Sequence, residues 1–89
     1  MKITDDMLSA NGWEARFGDF RDCTVYGKHI NNDSGEFDFE ISKLSNMVGR
    51  DWYVHVDNQD FQTIGGCSIE TIKHFNDFMD ILGIDYKLR

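Results

Sequence analysis

The sequence predicts a single α+β domain over residues 1–89: a short N-terminal helix, a four- to five-stranded, mainly antiparallel sheet, and a C-terminal helix packed on one face. Three observations carry this. The stretch from Gly65 to Gly83 holds the one long helical period, with Ile69, Ile72, Phe75, Met79 and Leu82 recurring on a single face. Upstream, apolar and polar residues alternate in short runs, separated by Gly, Asn and Asp clusters of hairpin length. The chain has 89 residues and no internal linker, which fits one core.

The first helix is expected after Thr4, a good N-cap, with Asp5 and Asp6 at the positive end of the helix dipole. Ile3 and Leu8 hold the hydrophobic-staple positions. Asn11-Gly12 ends it, with Gly12 suited to a left-handed backbone and Trp13 placed to fold back over the last turn. A helix of about two turns is unstable alone and must dock, through Met7, Leu8 and Trp13.

The period then changes to two. Trp13, Ala15 and Phe17 alternate with Glu14 and Arg16, and Gly18-Asp19 interrupts. Arg21 to Ile30 reads as a strand with Cys23, Val25 and Gly27 on one face and Thr24, Tyr26 and Lys28 on the other; Gly27 marks a bulge. Asn31 to Gly35 is a turn cluster. Glu36 to Lys43 is the clearest strand, with Phe37, Phe39 and Ile41 inward and Glu36, Asp38, Glu40 and Ser42 outward. A loop over 44–51 leads to Trp52–Asp57, where Trp52, Val54 and Val56 oppose Tyr53, His55 and Asp57. After a turn at Asn58-Gln59-Asp60, Phe61 to Ile64 adds a short strand. Gly65-Gly66 releases the chain into the long helix, Gly83 ends it, and the tail from Asp85 lies against the sheet edge.

Composition limits the function classes. The formal net charge is −7, with no Pro and no basic groove interleaved with aromatics, so direct nucleic-acid binding is not expected. The same acidity keeps a small domain soluble. Met1 to Asp6 has no apolar leader core, and no run approaches about 18 apolar residues. Neither a secretory leader nor a membrane span is expected, and the expected compartment is the cytoplasm. Cys23 and Cys67 lack CxxC spacing; half-buried thiols are expected, with a disulfide between them left open.

Four groupings are candidates for chemistry. Pairing of the strands at 36–43 and 52–57 places Asp38, Glu40, Tyr53, His55 and Asp57 on one polar face, with Tyr26 and Lys28 able to join from the preceding strand. Carboxylates and a His within reach can bind a metal or move protons, although any half-solvated strand shows the same alternation. His29, His55 and His74 form no HxxxH or HExxH spacing. Gly65-Gly66-Cys67 lacks the Lys and the spacing of a phosphate loop; Cys67 near a helix start would have a lowered pKa but has no base beside it in sequence. Phe78 and Ile81 widen the helical stripe, either as core or as a self-association patch.

The run Trp52-Tyr53-Val54-His55-Val56-Asp57-Asn58, then Phe61-Gln62-Thr63-Ile64-Gly65, then a helix closing on Gly83-Ile84-Asp85, resembles short proteins of Bacteroidetes and of their phages and prophages. The opening Leu8-Ser9-Ala10-Asn11-Gly12-Trp13-Glu14 is similar to their usual start. Those proteins carry no assigned activity, so no catalytic residue transfers. The resemblance implies an accessory protein of a mobile element in a bacterial host. The expected function is therefore a non-enzymatic, cofactor-free factor that binds a larger, partly basic protein, in its concrete form an inhibitor of a host nucleic-acid or defence enzyme. The alternatives are a metal-binding domain or small metal-dependent enzyme on the polar face, and a self-associating homodimer.

Overall fold

The computed structural model describes residues 1–16, 23–44 and 52–89. Helix α1 spans Asp5–Ala10; the strands are β1 (Glu14–Ala15), β2 (Cys23–Asn32), β3 (Gly35–Leu44), β4 (Trp52–Asn58) and β5 (Thr63–Ile69); helix α2 spans Ile72–Leu82. The strands pair antiparallel in the order β1-β2-β3-β4-β5, a plain meander. The α+β arrangement is the one the sequence predicts.

Local chemistry sets the element ends. The Thr4 hydroxyl accepts from the Met7 amide at 3.3 Å, and Gly12 takes φ 82°. Thr71 caps α2 in the same way, accepting from the His74 amide at 3.1 Å, and Gly83 ends it at φ 72°. The β2–β3 hairpin is tighter than expected: Asn32 pairs with Gly35, leaving only Asp33 and Ser34 in the turn. Asn32 Oδ1 accepts from both the amide and the hydroxyl of Ser34.

Register decides which residues face the helices. Cα partners share a face, so Tyr26↔Ile41↔Val54↔Cys67 and Trp52↔Ile69 point to one side. On that side the core is Ile3, Leu8, Trp13, Tyr26, Ile30, Phe39, Ile41, Trp52, Val54, Val56, Ile69, Phe75, Met79, Ile84 and Leu88. Both helices and the tail cover it.

Several expectations change. The long helix begins at Ile72, not after Gly65-Gly66; Gly65 to Ile69 continue β5 instead. Inward-facing Gly65 lets α2 approach closely: a Cβ there would meet Phe78 and Leu82 at 3.0 and 3.1 Å. Ile69 fits both periods, and pairing with Trp52 places it in the sheet. Gly27 carries no bulge; the irregularity lies between β4 and β5, where Val56 opposes Gly65 and Asp57 opposes Thr63. Phe61 is not in a strand. It occupies the β4–β5 turn with φ 59°, while Asn58 Oδ1 accepts from the amides of Asp60 and Gln62 at 2.9 and 3.0 Å. Tyr26 belongs to the core and Lys28 to the same side, not to the polar face. Ala15 is exposed. Phe17, Gly18-Asp19 and Arg21 lie outside the described residues; of the expected loop over 44–51, Leu44 instead ends β3 and the remainder lies outside the described residues.

The tail lies over the core face rather than at the sheet edge. Ile84 and Leu88 are buried. Tyr86 packs against Phe39, Phe75 and Trp13 at centroid distances of 5.4, 6.0 and 6.3 Å, and its hydroxyl accepts from Trp13 Nε1 at 2.8 Å. Two asparagines stitch the tail down. The Asn76 amide accepts from Leu88 N at 2.8 Å and donates to Leu88 O at 3.2 Å. Asn11 does the same to Arg89, at 3.0 Å in each direction.

Asn76→Ala leaves both half-buried Leu88 groups unpaired and is expected to lower unfolding free energy by about 1–3 kcal/mol, read as a shift in urea midpoint. Burial pushes the Tyr86 phenol above its ordinary pKa, opposed by the Trp13 N–H. The folded state therefore holds this proton more tightly than the unfolded state. The stability it contributes is complete below the usual tyrosine value of about 10 and is lost as pH rises through the folded value. Tyr86→Phe should flatten this alkaline loss in a pH series of urea midpoints.

Candidate functional site

The face of the sheet turned away from the helices carries the expected residues together. Cross-strand pairing sets Asp38 opposite Asp57, Glu40 opposite His55, and Ser42 opposite Tyr53. On β2, His29 pairs with Asp38 and Gly27 with Glu40, and Glu14 of β1 pairs with Gly27. The alternation that buries Phe39, Ile41, Val54 and Val56 thus presents Glu14, Glu36, Asp38, Glu40 and Asp57 on the other side.

Two glycines shape this surface. Gly27 is buried beneath the Arg16 side chain; an added Cβ would collide with the guanidinium. Laid across that gap, Arg16 reaches Glu40 at 3.3 Å and Asp38 at 3.4 Å. Gly66 seats Tyr53 in the same way, since a Cβ there would lie 2.5 Å from the Tyr53 hydroxyl. Long side chains therefore lie flat over neighbouring strands, and Tyr53 remains 49% exposed.

Between them is a three-membered hydrogen-bond cluster. Thr63 donates to Asp57 Oδ1 at 3.1 Å, and His55 Nε2 lies 2.8 Å from the Thr63 hydroxyl and 3.2 Å from Asp57 Oδ1. The Nε2–H tautomer satisfies all three contacts. His29 Nε2 lies 3.0 Å from Glu36. The His29 and His55 imidazoles are thus each engaged with a carboxylate at the surface. Among the described residues, no group of three or more His, Cys, Asp and Glu is placed to hold a metal ion.

Other candidates resolve differently. His74 is exposed on α2. Cys67 lies in β5, not at a helix start, and burial pushes its thiol pKa up rather than down. Cys23 and Cys67 are free, and the register puts them on opposite faces of the sheet, which excludes a disulfide between them. Phe78 is partly buried against the core, whereas Ile81 is 80% exposed.

Sequence reasoning missed Arg16, Thr63 and Phe61 as surface features. Gly27 and Gly66 were the available signals, since a glycine within an alternating strand often marks close approach of another group. Phe61 is 87% exposed at the tip of the β4–β5 turn. It lines a cavity of about 180 Å³ with His29, Glu36, Phe37, Asp38, Asn58 and Gln59. A wider recess of about 280 Å³ lies at the β1–β2 end, between Glu14, Arg16 and Lys28. No helix among the described residues is long and apolar enough to cross a membrane. Compared with protein-family models, curated proteins and solved structures, the chain matches none.

Because only the thiolate is nucleophilic, Cys67 is expected to alkylate more slowly with iodoacetamide at neutral pH than the same peptide unfolded in urea. Mass spectrometry of the labelled peptides over time measures this.

Proposed function

We propose that this protein is a small, acidic, non-enzymatic accessory factor of phage or mobile-element type that docks its open sheet face onto a basic surface of a larger protein. One observation carries the reading. Glu14, Glu36, Asp38, Glu40 and Asp57 share a face with Arg16 as its partner cation and Tyr53 as a half-exposed aromatic, opposite the helical layer. Antiparallel sheets can leave one face to solvent, as this one does with its carboxylates.

Such a face suits protein recognition better than catalysis. Its carboxylates repel nucleic acid and attract the basic surfaces that nucleic-acid enzymes present. Complementary charge accelerates association and suppresses wrong partners, and the effect weakens with salt. Tyr53 supplies area at low entropic cost. The concrete form is an inhibitor that occupies the basic groove of a host nucleic-acid or defence enzyme, acting in the cytoplasm of the bacterial host.

The test compares wild-type protein with D38N/E40Q/D57N, each immobilised and exposed to host lysate at low and high salt. The reading expects one stoichiometric basic protein, retained at low salt, released at high salt, and bound about tenfold more weakly by the neutralised variant. Equal capture by both variants, or no stoichiometric partner at low salt, overturns it.

A further inference from the structure

We propose that the outer edge of β5, with the Phe78–Ile81 flank of α2, is a two-fold interface with a second copy of this chain. This site lies apart from the acidic face. β5 is the last strand in the sheet order, so the outward amides and carbonyls from Thr63 to Ile69 have no strand partner among the described residues. Exposed edges are ordinarily blunted by Lys, Pro, shortness or a bulge. The segment Gly65-Gly66-Cys67-Ser68-Ile69 has no charge and no Pro; the β4–β5 irregularity lies before it, at Ile64, and the Lys2–Thr71 bridge with its Lys2–Glu70 ion pair lies just beyond it. At the opposite edge, β1 is only two residues long.

The helix above this edge is asymmetric. Asn76 and Asp80 turn toward the tail, where they meet Leu88 and Lys87. Phe78 and Leu82 turn the other way, over Gly65 of β5. At about 100° per residue, Ile81 stands one step further out on that same flank. Ile81 is 80% exposed and Ile64 on the strand beneath is 37% exposed. Phe78 and Ile81, with exposed His74 between them, therefore line one side of the molecule together with the open ladder.

A single operation covers both. Antiparallel edge-to-edge pairing about a two-fold axis perpendicular to the sheet extends the meander across two protomers and keeps both helical layers on the same side. It brings the Phe78–Ile81 flank of one α2 against that of the other. The small side chains of Gly65, Gly66, Cys67 and Ser68 let two such edges approach without collision. The seam is about 23 Å long, from seven strand residues, and roughly 20 Å deep across two layers. That is on the order of 450 Å² per protomer, against about 800 Å² in a standard interface. The dimer is accordingly weak. Each protomer carries a net charge of −7, so added salt strengthens the pairing by screening repulsion. Binding of a basic partner by the acidic face has the opposite salt dependence.

Sedimentation equilibrium over about 10 µM to 1 mM, at low and high salt, measures the association. The expected result is a monomer–dimer equilibrium that tightens with salt. Ile81→Glu, at a position exposed in the monomer, should weaken it at least about tenfold, whereas D38N/E40Q should leave dimerisation intact or strengthen it. Amide hydrogen exchange of Gly65–Ile69 should slow as the dimer fills. A monomer throughout overturns the proposal, as does a dimer unchanged by Ile81→Glu, or one that leaves β5 amide exchange unaltered. None of these results bears on capture of a partner by the acidic face.

Discussion

The hydrogen bond from Trp13 Nε1 to the Tyr86 hydroxyl closes the structure. It joins the segment after α1 to the tail after α2, 73 residues away, at 2.8 Å. Around it, Trp13 stacks on Phe39 of the central strand at 5.9 Å and meets Phe75 of α2 edge-on at 5.9 Å. Four aromatic rings thus bring the segment after α1, the central strand, α2 and the tail into one contact. A domain of this size has few buried residues to spare, and neither helix is long enough to persist alone. The cluster supplies the area that holds them, and the polar ends of Trp13 and Tyr86 satisfy one another within it.

This one-sided core explains the rest of the architecture. Every large apolar residue of the main cluster faces the helices or belongs to them. The opposite face is consequently free to be polar, and it is flat because Arg16 and Tyr53 lie down over Gly27 and Gly66. Acidity on that face and an uncharged last strand at β5 are separate consequences of the same meander. We propose a basic partner for the first and a like strand for the second.

The candidate site was legible where it depended on alternation. Asp38, Glu40, Tyr53, His55 and Asp57 share a face because strand side chains alternate and hairpin pairing preserves the alternation. Tyr26 and Lys28 were misplaced for a physical reason. Thr24, Tyr26 and Lys28 look as polar as Cys23, Val25 and Gly27 look apolar, so pattern alone chooses the wrong face. Register decides otherwise: Tyr26 opposes Ile41 and Lys28 opposes Phe39. Val25, on the other side, is buried at 4% exposure yet stands outside the main cluster.

By itself, the sequence determined the α+β class, the caps at Thr4, Gly12 and Gly83, and the inward residues of β3 and β4. These follow from interactions within a few residues or from simple alternation, and no distant contact is needed to read them. Only the tertiary structure decided where β5 gives way to α2. Ile69 satisfies a helical and an extended period alike, and the ladder with Trp52–Val56 selects the strand. The same holds for the tail, whose weak alternation says nothing of Asn11 and Asn76, and for Arg16 and Tyr53, whose resting places exist because a glycine on another strand is bare. Long-range pairing brings those groups together, and a local pattern does not encode its partner.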